Sequence, residues 1–396
     1  MERTSSQELN SLLKINGVCS FALSLGGIFL QVFLFTLGGF GAVAEYNLVA
    51  VAFIFLFFVI SGWLLKRLQL KNVLLLGVAA YIAQFLLLFL FREHSLMLLI
   101  PLAILNGMGI GMFWAVMNLL QYIFTTEDVR HRYFGKQQFL SSLSGGIAPV
   151  IGGGLISFFG FAVSKTFGYS FVFFIIALLM GAVYGEAKKL PRHESIDFSL
   201  RHIMSHRRSR AWKLSLAQDF FYGLFDFMFG AFTAVLIFLV IKEEFVLGIV
   251  NAMGALVAAG AGLGASALLG KRPLSFLVAS FAGAFGIMAF AAQQNWWGIG
   301  ALVILFYAAM PVLTIASSKT FLDVIDRFED PWRRKYHLFL EREIILNIGR
   351  MASLGIFLLF INEHNQLAVA RIAVGLLAAI PLFAGVLQYQ IMRELN

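Results

Sequence analysis

Residues 73–91 read VLLLGVAAYIAQFLLLFLF, an uncharged run closed by Arg92-Glu93. As a helix rising 1.5 Å per residue it is about 28 Å long, close to the roughly 30 Å hydrocarbon core of a bilayer. No side of such a helix is polar enough to face water. The same test carried outward finds runs at 15–40, 44–65, 96–124, 138–160 and 166–186, then at 214–241, 245–269, 274–291, 296–320, 343–361 and 366–388. That is six and six. The predicted fold class is an all-α polytopic membrane protein of twelve transmembrane helices in two pseudo-symmetric six-helix bundles, residues 1–186 and 214–396, joined by a basic linker at 187–213.

Composition agrees. Of 396 residues, 60% are hydrophobic and 13% charged, where a soluble domain carries about 25% charged residues. Met1–Asn10 is polar and the run behind it is long, which reads as a spanning helix rather than a cleaved signal. A single cysteine, Cys19, leaves no disulfide framework, thiolate metal site or Cys-x-x-Cys pair. The net charge of +9 is explained by topology rather than by nucleic acid. With both termini and the linker cytoplasmic, only Arg92, Lys165, Lys242 and Arg371 fall outside, and Arg350 lies within the eleventh run. Every other Lys and Arg of the 30 is inside, which is the bias that retains positive loops in the cytoplasm. The expected location is the inner (plasma) membrane.

The linker carries Lys188, Lys189, Arg192, Arg201, Arg207, Arg208, Arg210 and Lys213, a composition suited to solvent and anionic lipid headgroups. His193, His202 and His206 offer one i,i+4 pair with no carboxylate at ligand spacing, so no metal site is expected there. No P-loop, His-Glu-x-x-His or Gly-x-Ser-x-Gly is present. These absences argue against an enzyme, a cofactor and direct ATP coupling.

An internal repeat relates the halves. Arg130-His131-Arg132-Tyr133 enters the fifth run, and Arg333-Arg334-Lys335-Tyr336 enters the eleventh about 200 residues later. At the same offset Gln138 meets Glu341, Ser144 meets Asn347 and Gly146 meets Gly349. Parallel repeats of this kind are related by an axis along the membrane normal.

With this architecture the chain resembles the major facilitator superfamily. Gly145-Gly146-Ile147-Ala148-Pro149-Val150-Ile151-Gly152-Gly153-Gly154 is similar to the family's Gly-x-x-x-Gly-Pro-x-x-Gly-Gly element, with Ala148 in place of a glycine. Small residues there let helix backbones approach, and Pro149 is expected to bend the helix at the interface between halves. The family's Gly-x-x-x-Asp-Arg-x-Gly-Arg-Lys loop finds Gly62, Arg67 and Lys71 in place, but Lys66 stands at the acidic position. The family's acidic residue helps lock the halves on the cytoplasmic side, so this chain lacks the usual lock. The arginine of proton-linked drug exporters is also missing from Ile104–Gly111. The resemblance implies a monomeric secondary transporter in which the halves rock about a central site, with a slight preference for efflux from the Pro149 element.

An ionisable group within hydrocarbon is costly, and so marks function. Asp219 and Asp226 share a face of the seventh run, about 10 Å apart, with Asp226 about 18 Å deep if that helix begins near 214. Arg350 is expected about 9 Å into the eleventh helix, on one face with Glu343 and at the depth of Asp219, its expected partner. Proton coupling is therefore assigned to Asp226, Asp219, Arg350 and Glu343, and Asp226 is the principal candidate. Gln31, Thr36, Asn106, Trp114, Asn118 and Tyr307 are candidates to line the substrate path. The expected partners are a small-molecule or lipid substrate, membrane lipids and protons, with no nucleic acid. Two other functions fit the same residues: translocation of a lipid or lipid-linked glycan, and a non-transporting receptor or assembly factor.

Overall fold

A computed structural model describes residues 6–125, 127–191, 195–200, 208–268, 274–328 and 331–395. Expectations that fall on Arg192, His193, Arg201, His202, His206 and Arg207 lie outside the described residues. Among the described residues the secondary structure is helical throughout: α1 (Ser6–Leu64), α2 (Leu70–Phe91), α3 (Leu99–Phe124), α4 (Glu127–Ala162), α5 (Lys165–Lys188), α6 (Arg210–Ile241), α7 (Glu244–Leu268), α8 (Leu274–Ala292), α9 (Trp296–Ala301), α10 (Tyr307–Asp326), α11 (Tyr336–Phe360), α12 (Gln366–Leu377) and α13 (Ile380–Leu395). Short 3₁₀ and π turns at Arg92–Leu98 and Leu302–Phe306 join α2 to α3 and α9 to α10.

Among these residues, ten helical spans are long and apolar enough to cross a membrane. Two of them, Glu8–Leu64 and Leu70–Phe124, are 57 and 55 residues long, against about 20 for one crossing. The break in α1 comes at Gly38-Gly39, where Gly39 has φ of 69°, a left-handed conformation that glycine adopts without steric penalty. Large apolar side chains point outward, including Phe161, Trp297 and Leu359, each more than four-fifths exposed. Water would penalise such a surface and lipid does not.

Several helix boundaries depart from the hydropathy reading, because hydropathy detects apolarity and not helicity: α1 begins at Ser6 rather than 15 and α4 at Glu127 rather than 138. α6 begins at Arg210, inside the basic linker, where Ser209 accepts a hydrogen bond from the Trp212 N–H and caps the helix. α11 begins at Tyr336 rather than 343, running through the polar Tyr336–Arg342 stretch. The twelfth run is divided at Ala378-Ala379 into α12 and α13.

The described chain forms two compact units. One comprises Met1–Leu30, Val49–Ser205 and Asp330–Glu343; the other comprises Gln31–Leu48, His206–Glu329 and Ile344–Asn396. In the first, α2 lies along α3 and α5, and α5 along α4. In the second, α13 packs on α6 and α8, and α7 on α10. Each unit thus takes a segment from the opposite half of the sequence: the start of α11 joins the first, and the residues around the α1 break join the second.

Candidate functional site

The second unit holds a buried ion pair. Gly223 on α6 and Gly349 on α11 make it possible. A Cβ on Gly223 would meet the Leu346 carbonyl oxygen and the Arg350 nitrogen, and one on Gly349 would meet the Phe220 carbonyl oxygen and the Leu224 nitrogen. Two backbones this close bring nearby side chains of the two helices into direct contact. Asp226 follows Gly223 by three residues and Arg350 follows Gly349 by one.

The Arg350 guanidinium donates to Asp226 Oδ2 through Nε at 3.1 Å and through Nη2 at 2.5 Å, and Nη1 donates to Asn347 Oδ1 at 3.1 Å. Its Cζ lies 4.7 Å from the centre of the Phe227 ring, a cation–π contact. Phe225 and Phe229 stack on each other at 4.3 Å and both lie against Phe306. The pair is asymmetric: the Arg350 side chain is 10% exposed and that of Asp226 is 28% exposed. The carboxylate is thus the more accessible partner of the two.

Arg350, expected to approach Asp219 in at least one state, bonds Asp226 in this one, and the helix starts place these two residues at similar depth. Counted from Tyr336, Arg350 lies about 21 Å along α11 rather than 9 Å, and counted from Arg210, Asp226 lies about 24 Å along α6. Asp219 is about 10 Å nearer the start of α6 and is buried. Glu343, also buried, belongs to the first unit, whereas Arg350 belongs to the second. Asn347, which entered the sequence reading only as a repeat partner of Ser144, completes the cluster. An amide three residues before a buried arginine on one helix was the signal for it.

The remaining candidates are dispersed. Gln31 Oε1 accepts from Asn47 Nδ2 at 2.8 Å across the α1 break, and Thr36 Oγ1 donates to the Phe33 carbonyl. Tyr307 opens α10 and fills the space beside Gly254. These three are in the second unit. Asn106, Trp114 and Asn118 share one half-buried face of α3 in the first unit, with Trp114 edge-on to Phe113. In α4, which contains Pro149, Gly152 lies against the Leu25 carbonyl of α1 in the same half of the sequence; Gly153 is buried and Gly145 half-buried. Gly62 ends α1 in contact with the Phe198 ring, and Arg67 is exposed in the turn that follows.

A model of the Major Facilitator Superfamily matches residues 17–327. The chain is 28% identical over 358 residues to the uncharacterized protein YqgE of Bacillus subtilis (strain 168), covering 88% of this chain and 82% of that one. Its fold is similar to that of the E. coli fucose:proton symporter FucP, with a TM-score of 0.67 at 15% identity and full coverage of both chains. It is also similar to a bacterial homologue of the human drug peptide transporters PepT1 and PepT2, with a TM-score of 0.71 at 13% identity and 99% coverage of each.

Proposed function

Belonging as it does to the Major Facilitator Superfamily, the chain is a secondary transporter rather than an enzyme, and we propose that protons drive it, with Asp226 as the group that carries them. The supporting observation is the Asp226–Arg350 pair, two opposite charges joined by two hydrogen bonds within helices that each qualify as a membrane span. While Asp226 is ionised the pair is neutral as a whole and costs less in an apolar setting than either charge alone. Protonation leaves a net positive charge there, which is costly until another anionic or polar group approaches Arg350 or the helices shift. A proton on Asp226 thus raises the energy of one conformation relative to another, which is what coupling a gradient to movement requires. FucP is a proton symporter by name, and the proposal extends that form of coupling to this chain.

The same reading takes the 57- and 55-residue spans as two crossings each, for twelve in all. The halves are 1–186 and 214–396, with both termini and the 187–213 linker in the cytoplasm of a cell bounded by this inner membrane. Small-molecule efflux is the favoured direction.

The test is reconstitution into proteoliposomes, with solutes screened under an imposed pH gradient. For a solute that the wild-type protein moves, Asp226→Asn should abolish gradient-driven net flux and leave exchange between equal pools largely intact, since exchange needs no deprotonation of the empty carrier. Full pH-driven net flux in this variant would reduce Asp226 to a structural partner of Arg350.

A further inference from the structure

The absent acidic residue at Lys66 raises the question of what holds the cytoplasmic ends of these helices. We infer that linker residues Ile196–Phe198 form a strap that ties the end of α1 to the start of α11, and that releasing it is a step in opening the cytoplasmic side.

All the contacts concerned lie in the first unit. The Ile196 N–H donates to the Leu65 carbonyl at 3.3 Å, at the end of α1. The Asp197 N–H donates to the Arg333 carbonyl at 3.1 Å, and Arg334 Nε donates to Asp197 Oδ2 at 2.9 Å. Two consecutive linker residues thus bond first to one helix end and then to the other. Phe198 fixes the strap in place. Its ring is edge-on to Tyr336 at 5.6 Å and to Trp63 at 6.3 Å, and it is almost wholly buried. A Cβ on Gly62 would lie 2.8 Å from that ring, so only glycine leaves room for it. Beneath it the Tyr336 hydroxyl donates to the Phe58 carbonyl at 2.6 Å, and the two rings stack.

Gly62 is the first residue of the loop pattern that lost its acid. The glycine serves here as a socket for a linker aromatic, and the missing carboxylate reappears as Asp197. The Asp197–Arg334 pair is about half exposed on both sides and so holds weakly by itself. The burial of Phe198 supplies most of the hold, and the ion pair sets its register. A weak, exposed pair beside one inserted ring suits a closure that must open in every cycle. The inference rests on the chain being a two-half transporter but not on Asp226, because it concerns a different unit and a different measurement.

The experiment uses the full chain with Cys19→Ser and a reporter, Leu340→Cys, whose native side chain is fully buried in the first turns of α11. In inside-out vesicles, Phe198→Ala should raise the rate of alkylation at this cysteine about tenfold over the parent. Asp197→Arg should raise it several-fold, and adding Arg334→Asp should restore the parental rate. The swap keeps all the buried packing, so it decides the matter even if Phe198→Ala does not fold. A parental alkylation rate in Asp197→Arg, or a raised rate that the swap does not reverse, overturns the strap. Loss of proton coupling in Asp226→Asn with no change in alkylation would leave it standing.

Discussion

At the residue scale, Arg350 is held on several sides: it bonds Asp226 and Asn347 and lies over Phe227. Removing one member of such a pair leaves the other charge in a poorly solvated place, which costs about 3–5 kcal/mol when the site is sealed. Asp226 is partly open to solvent, so a smaller penalty is expected here, about 1–2 kcal/mol of coupling. Arg350→Ala should lower the melting temperature of the detergent-solubilised protein by several degrees. The double variant with Asp226→Ala should recover part of that loss. Strictly additive effects would mean that the two side chains are neighbours without energetic coupling.

At the element scale, the α6–α11 contact depends on two glycines that each meet a carbonyl of the opposite helix. Gly223→Ala places a methyl where the Leu346 oxygen stands. The backbones must separate, at a cost of about 1–3 kcal/mol for overpacking, and the ion pair lengthens with them. Gly230, two turns further along the same face of α6, has open space around it and is the control. Gly223→Ala is expected to reduce the yield of monodisperse protein and to abolish pH-driven flux, whereas Gly230→Ala should match the wild type in both. Equal behaviour of the two would show that the close approach is not what seats Arg350. The break in α1 belongs to this scale as well. The Phe40 N–H donates to Gln366 Oε1 at 2.9 Å beside the left-handed Gly39, so the turn is anchored by a side chain more than 300 residues away in sequence.

At the scale of the whole molecule, the orientation proposed from Lys and Arg counts is open to direct labelling. In a Cys19→Ser background, a cysteine at the exposed position Arg208 should stay unreactive to an impermeant maleimide applied to intact cells and react once the membrane is permeabilised. A cysteine at His364, exposed between α11 and α12, should react without permeabilisation. Labelling of the Arg208 position from outside would invert the assignment or break the twelve-crossing count. Each compact unit draws a segment from the opposite sequence half.

What the sequence determined by itself was the class of solvent and the rough number of spans, because hydrocarbon selects for apolar runs of fixed length wherever they occur. It also singled out Asp226, Asp219 and Arg350 as exceptional, since a charge is conspicuous in such runs. Which charges meet was decided only by tertiary structure. Depth along a helix depends on where its first turn forms, and α6 and α11 both start in polar sequence that hydropathy reads as loop. The seven residues between 343 and Tyr336 move Arg350 from the depth of Asp219 to that of Asp226. Likewise Lys66 announced a missing lock, but nothing local in Ile196–Phe198 marks those residues as its replacement. Their role arises from the Gly62 socket and Arg334, which only the folded chain brings within reach of the linker.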